Sequence, residues 1–519
     1  MLTTARSASI KGRLVSATLS NYAGRLVTMG AWFLLTPVLL HQLGPTQYGL
    51  WVLVGSLVAY GWLLNAGIQG AITRYVAACH VTGELDLASR IVTTSLWCDT
   101  FLGMLAIGSS ALLAPLVPVI FQIPPEEHAS ATWLVLLMGV GIGITIPCET
   151  GAAVLRGLHR YDLANLVQVV STLLNVGAIA VILLVGGGLL GVVAVTPPAT
   201  LLSQVLSMRL AGHVEPGLRF HWRSFDPALV RRIVGFSWPL LLGQTAALIQ
   251  RKSDEIVIAL FLPVAFVAPY ALAHRLSDVC RELSKQFMGP FLPLASELDA
   301  QHATERLRSL YVSGTRLALA IYLPIACTVT LLAHPILRLW VGEAYTGNVV
   351  VVAILSLAGA LISTEWLATA VLQGLGRHRR QGVVALCSAL GNVLISAALL
   401  NVMGLNGVAL GTLISAGVEF VIVMPYAARV IGVTLEDAIR RIVIPTVLPA
   451  GVMAFLLYLV ESTAEPESII ELLALAGLGL AVFAGLYVML GASRPERDLV
   501  RGLAAGTFRI AQGYVRRAE

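Results

Sequence analysis

The sequence predicts an all-α polytopic membrane protein with about fourteen transmembrane helices: two pseudo-symmetric six-helix halves and two extra helices. Three observations lead to this fold class. First, 57% of the 519 residues are hydrophobic, only 12% are charged, and the mean hydropathy is +0.83; a soluble protein of this length would expose far more charge. Second, apolar runs long enough to cross a bilayer recur along the chain. Third, a stretch of the first half returns in the second, which is typical of a duplicated helical unit.

The predicted spans follow from the apolar runs, because a membrane-crossing helix needs about 20 mainly apolar residues. The first run is too long for the apolar part of a signal peptide, and no small-residue cleavage site follows it, so we interpret it as a retained span. The fourteen spans are 17–41, 47–70, 93–121, 129–155, 162–186, 188–211, 234–261, 264–293, 311–333, 348–373, 381–400, 406–428, 442–461 and 468–491.

The internal repeat is clearest in eight residues. The segment AVLRGLHR at 153–160 returns as AVLQGLGR at 370–377, and Asn175 matches Asn392 at the same offset of 217 positions. Apolar residues recur by chance in such a chain, but the spacing of the Gly and Arg residues and the Asn do not. The repeat predicts that both segments join two spans on one side of the membrane, within three parts: 1–225, the first six spans; 226–435, their repeat; and 436–519, two spans and a basic cytoplasmic tail.

The basic residues predict the orientation. Of the 34 Lys and Arg residues, 26 fall in segments on one predicted side, and a single one, Arg338, lies in a loop on the other side; the remaining seven lie inside spans. This asymmetry places both termini in the cytoplasm. It also accounts for the net charge of +6 without a nucleic-acid partner. The segments 82–95 and 299–308 occupy matching places in the two halves, and each is predicted to form a short amphipathic helix along the inner face.

Ionisable residues at membrane depth cost at least a few kcal/mol on insertion scales, so each is a functional candidate. Arg25 lies in the first span, and the seventh span is interrupted by the run RKSDE at 251–255. The eighth span carries His274, Asp278, Arg281 and Lys285 at i, i+4, i+7 and i+11, which is one stripe along a helix. Such a stripe lines a wet cavity or is paired inside the bundle.

Several of these charges also allow a purely structural interpretation. Arg251 and Glu255, and likewise Asp278 and Arg281, are spaced to pair within their own helices. Other acids, such as Asp99, are placed near cytoplasmic helix ends. Glu149 and Glu365 are placed near such ends as well. They are interpreted as loop-anchoring partners of Arg160 and Arg377, respectively. Glu419 lies in the middle of the twelfth span and remains a candidate for coupling or gating.

No motif predicts an enzyme. The sequence lacks GxxxxGK[ST] and HExxH, and its six cysteines follow no metal-binding spacing. We therefore expect no catalytic residue, no metal site and no cofactor beyond a coupling ion, H⁺ or Na⁺. The six cysteines are interpreted as reduced packing residues.

Five segments in order resemble the polysaccharide (oligosaccharide-lipid) flippase family, which is Wzx-like and belongs to the multidrug/oligosaccharidyl-lipid/polysaccharide exporter superfamily. They are LGPTQYGLW at 43–51, GIQGAITRY at 67–75, LRGLHRY at 155–161, Asp254 with IVI at 256–258, and YALAHRL at 270–276. The resemblance implies two six-helix lobes in a V that alternate between inward-open and outward-open states in the bacterial cytoplasmic (inner) membrane.

The resemblance also implies the cargo, an isoprenoid-pyrophosphate-linked oligosaccharide such as an O-antigen, exopolysaccharide or capsule repeat unit. Arginine and lysine suit a pyrophosphate because they neutralise it and donate hydrogen bonds. Asp254, Asp278 and Glu419 are the coupling or gating candidates. Membrane lipids, a polysaccharide polymerase and a co-polymerase are the further expected partners. The cargo-binding candidates are Arg25, Arg251, Lys252, Arg275 and Arg281.

Two other functions are weighed against this one. A multidrug/cation antiporter of the same superfamily would need a buried carboxylate in the first span, where this chain has Arg25 and no acid. A membrane glycan polymerase or ligase would need a sizeable outer loop with catalytic side chains, but the longest outer loop is about 334–347.

Overall fold

A computed structural model gives the fold. It describes residues 2–65, 67–218, 224–285, 291–377, 379–463, 465–492 and 497, with side chains from residue 24 onward except at 236–243 and 292–293. Within these ranges every regular element is a helix, and no strand occurs. The all-α fold class is therefore confirmed. The predicted basic tail lies outside the described residues, apart from Arg497.

The helices of the first half start with one long element. It is α1, Leu2–Ala59. The others are α2, Ile68–Thr82; α3, Leu85–Leu113; α4, Val117–Ile120; α5, His128–Gly157; α6, Tyr161–Leu184; α7, Gly188–Ala194; and α8, Thr196–Val214.

The second half and the C-terminal part contain eleven more helices. They are α9, Pro227–Phe261; α10, Val267–Lys285; α11, Phe291–Ala300; α12, Thr304–Leu331; α13, Ala333–Val341; α14, Val349–Gly374; α15, Arg379–Met403; α16, Leu405–Ile431; α17, Leu435–Ala438; α18, Ile444–Thr463; and α19, Ile469–Leu486.

Eleven helical segments among the described residues are long and apolar enough to cross a membrane. This number is compatible with the fourteen predicted spans. One of the eleven, 24–63, contains most of the first predicted span and most of the second, and the charged helices α9 and α10 are not among the eleven. Among the described residues, helices thus cover most of each of the fourteen predicted spans. How many of these helices cross the bilayer stays a prediction.

Helix α1 breaks where the sequence separates the first two predicted spans. Gly44 has φ 71° and ψ 172°, which is outside the helical region. Glycine adopts positive φ without the steric penalty that a Cβ atom brings. Pro45 follows; its missing N–H and fixed φ suit the first position of a new helix. The two residues therefore end one predicted span and begin the next.

The helix ends repeat at the predicted offset. Helix α5 ends at Gly157 and α14 at Gly374, 217 positions later. Both ends have the same pair of closing hydrogen bonds, from the N–H of residues 159 and 160 in one copy and of 376 and 377 in the other. His159 (φ 58°) and Gly376 (φ 67°) adopt the left-handed conformation that this cap requires. Each repeated segment joins two long helices, as predicted.

One sequence expectation about the repeat is wrong. The segments 82–95 and 299–308 do not form separate amphipathic helices. Instead, α2 ends at Thr82 and α3 begins at Leu85, while α11 ends at Ala300 and α12 begins at Thr304. Both segments are tight corners followed by the first turns of a long helix. The polar first turns of these long helices gave the two stretches their amphipathic pattern.

Helix packing divides the chain into two compact units. The first contains residues 1–271 and 385–408, and the second contains 272–384 and 409–519. The first has a buried core on α2, α3 and α5 that includes Ile72, Ile91 and Leu155. The second has a core on α11, α12 and α14. The predicted boundaries at 225 and 435 describe the duplication, and they stay a prediction.

Candidate functional site

The charged run in α9 separates its basic from its acidic members. Arg251 is exposed, and its Nε donates to the carbonyl of Ala247 one turn earlier at 3.2 Å. Glu255 is 2% exposed, and its Oε1 lies 3.9 Å from Nζ of Lys252. Among the described residues no carboxylate pairs with Arg251, so the expected Arg251–Glu255 pair is replaced by Lys252–Glu255. The Arg251 guanidinium is thus an exposed cation on a mainly apolar helix.

Asp254 is held by hydrogen-bond donors from two other helices. It is 2% exposed. The hydroxyl of Tyr270 in α10 donates to Asp254 Oδ2 at 2.5 Å, and Nδ2 of Asn392 in α15 donates to Oδ1 at 3.1 Å. Each carboxylate oxygen therefore has a neutral donor from another helix. Such donors stabilise a buried carboxylate without cancelling its charge.

The network continues beyond Asp254. The hydroxyl of Ser396, one turn along α15, lies 3.1 Å from Oδ1 of Asn392 and 3.2 Å from the carbonyl oxygen of Val408. Asn392 is 1% exposed and Ser396 is fully buried. Polar side chains this deep need partners, since each unsatisfied group costs about 1–3 kcal/mol. The chain of contacts within the first unit therefore fixes the position of Asp254.

A second cluster lies on α10 and belongs to the second unit. Nη2 of Arg281 contacts Asp278 Oδ1, and Nε2 of His274 lies 3.3 Å from Arg281 Nη2 and 3.7 Å from Asp278 Oδ1. The predicted stripe thus exists, and three of its four members are in mutual contact. This is the pairing that the structural interpretation expected. Arg281 reaches any anionic cargo only in competition with Asp278.

The cluster on α10 is seated against α14. A Cβ atom at Gly359 would lie 3.3 Å from Cγ of Arg281 and 2.2 Å from the hydroxyl of Tyr322. That hydroxyl donates to the carbonyl of Ser356 at 2.7 Å, and the hydroxyl of Ser277 lies 3.3 Å from the carbonyl of Val352. Gly359 is therefore required by close packing, and the aliphatic part of Arg281 has a fixed place.

Asp99 does not lie near a helix end, contrary to the sequence interpretation. It is in the middle of α3 and fully buried. The Thr150 hydroxyl and the Gln69 amide donate to its Oδ2 at 2.9 and 3.2 Å. Its Oδ1 has no hydrogen-bond partner among the described residues. The apolar run continued on both sides of Asp99, so hydropathy could not locate the helix start at Leu85.

The two expected anchoring pairs are also wrong. Glu149 lies 4.0 Å from Arg156, whereas Arg160 pairs with Asp162 at 2.9 Å. Glu365 is 6% exposed on α14, and its neighbouring charge is not an arginine but Glu419, which is 7% exposed on α16. The first error is local, because Arg156 on the same helix and Asp162 two residues further on supply nearer partners. The second arises because contact between α14 and α16 brings Glu419 close to Glu365. Glu419 keeps its place among the coupling candidates.

The remaining predicted residues are distributed over the two units. Arg25 is exposed on α1 in the first unit, together with Arg251 and Lys252, while the partly exposed Arg275 belongs to the second unit. The part of the chain that the structure describes holds no group of three or more His, Cys, Asp or Glu side chains suited to a metal ion. All six cysteines are free.

Sequence reasoning missed the partners of the buried acids. In the sequence, Asn392 marks the repeat and Tyr270 belongs to a family segment, and neither pattern indicates a contact with Asp254. The position of both residues inside apolar runs could have indicated their role, because an amide or hydroxyl at membrane depth needs a hydrogen-bond partner. The same signal applied to Ser396, Gln69 and Thr150.

Comparisons with known proteins identify both family and fold. Residues 14–287 match the profile of a family described as polysaccharide biosynthesis protein. No curated protein matches the sequence significantly. A structure of the lipid II flippase MurJ in an inward closed conformation is similar over 94% of this chain and 100% of its own, with a TM-score of 0.70 and 12% identity.

Two transporters of the MOP superfamily share the same fold. An inward-facing multidrug resistance transporter of the MATE family covers 78% of this chain and 94% of its own, with a TM-score of 0.68 and 18% identity. A transporter from Pyrococcus furiosus Vc1, whose binding pocket is described as having reverse polarity, covers 81% and 95%, with a TM-score of 0.59 and 18% identity. The fold class predicted from the sequence is therefore that of these transporters.

Proposed function

The chain belongs to the polysaccharide biosynthesis protein family, and we propose that it flips an isoprenoid-pyrophosphate-linked oligosaccharide across the cytoplasmic membrane. The cargo would be an O-antigen, exopolysaccharide or capsule repeat unit, moved from the inner to the outer face by alternating access. Both termini would be cytoplasmic. Two findings together support the proposal: the chain belongs to a polysaccharide biosynthesis family, and its fold is similar to that of a lipid II flippase.

The exposed cations of the first unit support an anionic cargo. Arg251 and Arg25 are exposed on helices of mainly apolar sequence, while the acids of α9 are buried. A cation at membrane depth is tolerable where water reaches it and an anion binds for part of the cycle. A pyrophosphate is such an anion, and an arginine binds it with paired, charge-assisted hydrogen bonds. Lys252, Arg275 and Arg281 are the other proposed contacts.

The acids supply the coupling step in this proposal. Asp254 responds to a charge change because its two hydrogen bonds join three helices. Asp278 competes with the cargo for Arg281. Glu419 faces a second buried acid. A gradient of H⁺ or Na⁺ would act on one of these carboxylates, and delivery on the outer face would supply a polysaccharide polymerase and co-polymerase.

The test is a flipping assay with the full chain. The purified protein is reconstituted in liposomes with a short isoprenoid pyrophosphate oligosaccharide that carries a nitrobenzoxadiazole dye, and dithionite quenching reports how much dye reaches the other leaflet. We expect protein-dependent flipping. Arg251→Ala and Arg25→Ala should each slow it at least tenfold, and Arg→Lys should retain part of the rate. Arg440→Ala is the control, since Arg440 is 74% exposed and pairs with Glu436.

Two results would contradict the proposal. Flipping at the wild-type rate by a folded protein that carries both Arg→Ala changes would remove the role of these cations. Uptake of ethidium without movement of the pyrophosphate lipid would favour the multidrug antiporter instead. Gel filtration and thermal unfolding of each variant keep loss of function separate from loss of folding.

A further inference from the structure

A basic groove lies where α15 begins and α16 ends, within the second unit. It has a volume of about 790 Å³. Its walls combine three arginines with valine, isoleucine, proline and tyrosine side chains, and no acidic residue is among them. The lining residues are Arg379, Arg380, Gln381, Val383, Val384, Val421, Ile422, Val423, Pro425, Tyr426 and Arg429.

The arginines of the groove carry a concentrated positive charge. Among the described residues no carboxylate pairs with Arg379, Arg380 or Arg429. The guanidinium carbon of Arg380 lies 5.5 Å from the ring centre of Tyr426, whose hydroxyl donates to the carbonyl of Arg377 at 3.3 Å. Helix α15 begins at Arg379, so its first N–H groups add to the positive end. The positive charge of the groove is therefore suited to binding an anion.

One face of α16 leads from apolar sequence to this charge. Ile414, Val418, Val421, Pro425 and Arg429 lie at i, i+4, i+7, i+11 and i+15, which is a single helix face. The first three are 43, 49 and 69% exposed. On a helix that crosses a membrane, such exposed apolar side chains contact acyl chains. The stripe is thus apolar along its length and cationic at its end.

We propose that this groove binds an anionic phospholipid of the inner leaflet. The lipid phosphate would lie among Arg379, Arg380 and Arg429, and an acyl chain would follow the stripe of α16 through Val421 and Val418. A free anion would use the arginines alone. The apolar walls and the exposed stripe have a partner only if the anion carries a hydrocarbon chain. Basic pockets between helices on the cytoplasmic side suit such headgroups.

The repeat provides an internal comparison. At the offset of 217 positions, Asp162 takes the place of Arg379 in the first half. Asp162 pairs with Arg160 at 2.9 Å, so the start of α6 is neutralised. The same backbone arrangement therefore carries a concentrated cation in one copy only. Arg209 near the end of α8 is exposed like Arg429 but lacks the neighbouring pair of arginines, and it serves as the matched control.

The experiment measures lipid binding by the full chain in neutral detergent. Fluorescent phosphatidylglycerol and phosphatidylcholine with equal acyl chains are titrated with the protein. Near a membrane surface each Arg is worth about a fivefold change in affinity. We therefore expect Arg379→Gln with Arg380→Gln and Arg429→Gln to weaken phosphatidylglycerol binding on the order of 100-fold. Arg429→Gln alone should weaken it about fivefold, and Arg209→Gln less than twofold.

Further arms distinguish the source of the phosphate and the role of the chain. Glycerol phosphate should compete only at concentrations far above those of the lipid, and Val421→Asn should weaken phosphatidylglycerol binding without affecting folding. Three results would each overturn the proposal: wild-type affinity in the triple variant, equal affinity for phosphatidylcholine, or binding of glycerol phosphate as tight as that of the lipid. The changed side chains are exposed, so unfolding of the variants is not expected; circular dichroism and gel filtration check this.

Discussion

Replacing Asp254 by asparagine separates its charge from its hydrogen bonds. The carboxylate is 2% exposed and accepts from Tyr270 at 2.5 Å and from Asn392 at 3.1 Å. Asparagine has the same shape, and its amide oxygen can still accept from Tyr270. Its NH₂ group would face the Asn392 amide in place of an acceptor. The change therefore loses one hydrogen bond and the charge, whereas Asp254→Ala loses both hydrogen bonds and orphans two donors.

The magnitudes follow from these contacts. Hydrogen bonds between membrane helices contribute about 0.6 kcal/mol on average and up to about 1.7 kcal/mol. Hydrogen bonds to charged groups are at the upper end of such ranges. We expect Asp254→Asn to lower the free energy of unfolding by about 1 kcal/mol and Asp254→Ala by about 2–3 kcal/mol. Tyr270→Phe, which keeps the charge, should cost about 1–1.5 kcal/mol.

Two assays on the same preparations decide the role of Asp254. Unfolding by dodecyl sulfate in mixed micelles, followed by tryptophan fluorescence, gives the free energies. The liposome flipping assay gives the rates. If the charge acts in coupling, Asp254→Asn should lose at least tenfold in rate while Tyr270→Phe keeps most of it. Flipping by Asp254→Asn at the wild-type rate would refute the coupling role, and unchanged stability of Asp254→Ala would refute the network.

The other predictions concern the scaffold. A Cβ atom on Gly103 would lie 2.3 Å from a carbonyl oxygen of α5, whereas one on Gly108 meets nothing within 4 Å. Gly103→Ala should therefore lower the free energy of unfolding. Gly108→Ala should leave it unchanged or raise it by the helix propensity of alanine, about 1 kcal/mol. In the two repeated caps, Gly376 and His159 both have positive φ. Gly376→Ala should lower the free energy of unfolding by about 1 kcal/mol, and His159→Gly should raise it by a similar amount in the same unfolding assay. A reporter fused after Gly212 should be active in the cytoplasm, and a periplasmic signal there would contradict the duplicated halves.

The helices could be predicted from the sequence because hydropathy is a local property. A run of about 20 apolar residues has few alternatives to a helix in a membrane. The caps at Gly157 and Gly374 could likewise be located, because a repeated Gly and Arg spacing marks a repeated turn. The break at Gly44 follows from local chemistry, because glycine followed by proline favours an interruption of a helix.

The partners of the charges could be predicted from the sequence only in part, because spacing leaves alternatives within a helix and carries no information on contacts between helices. Spacing along α9 offered Glu255 equally to Arg251 at i+4 and to Lys252 at i+3. The structure forms the second pair. Spacing was informative on α10, where Asp278 and Arg281 are both on one helix and do pair. Asp254 accepts a hydrogen bond from Asn392, which is 138 residues away along the chain. A pattern of neighbouring residues cannot predict a contact over that separation.

The two copies of the repeat share their helix ends but not their electrostatics. Asn175 and Asn392 stand 217 positions apart, yet only Asn392 donates to a buried aspartate. The position equivalent to Asp254 in the first half is Pro37, and Oδ1 of Asn175 has no hydrogen-bond partner among the described residues. In the first half, three helices are joined instead by Asp99 on α3, which accepts from Gln69 on α2 and Thr150 on α5. The residue 217 positions after Asp99 is Arg316. The duplicated backbone thus supplies similar helices in both halves, while the buried carboxylate that joins three of them stands at a different position in each half, because Pro37 and Arg316 occupy the equivalent positions of the other half.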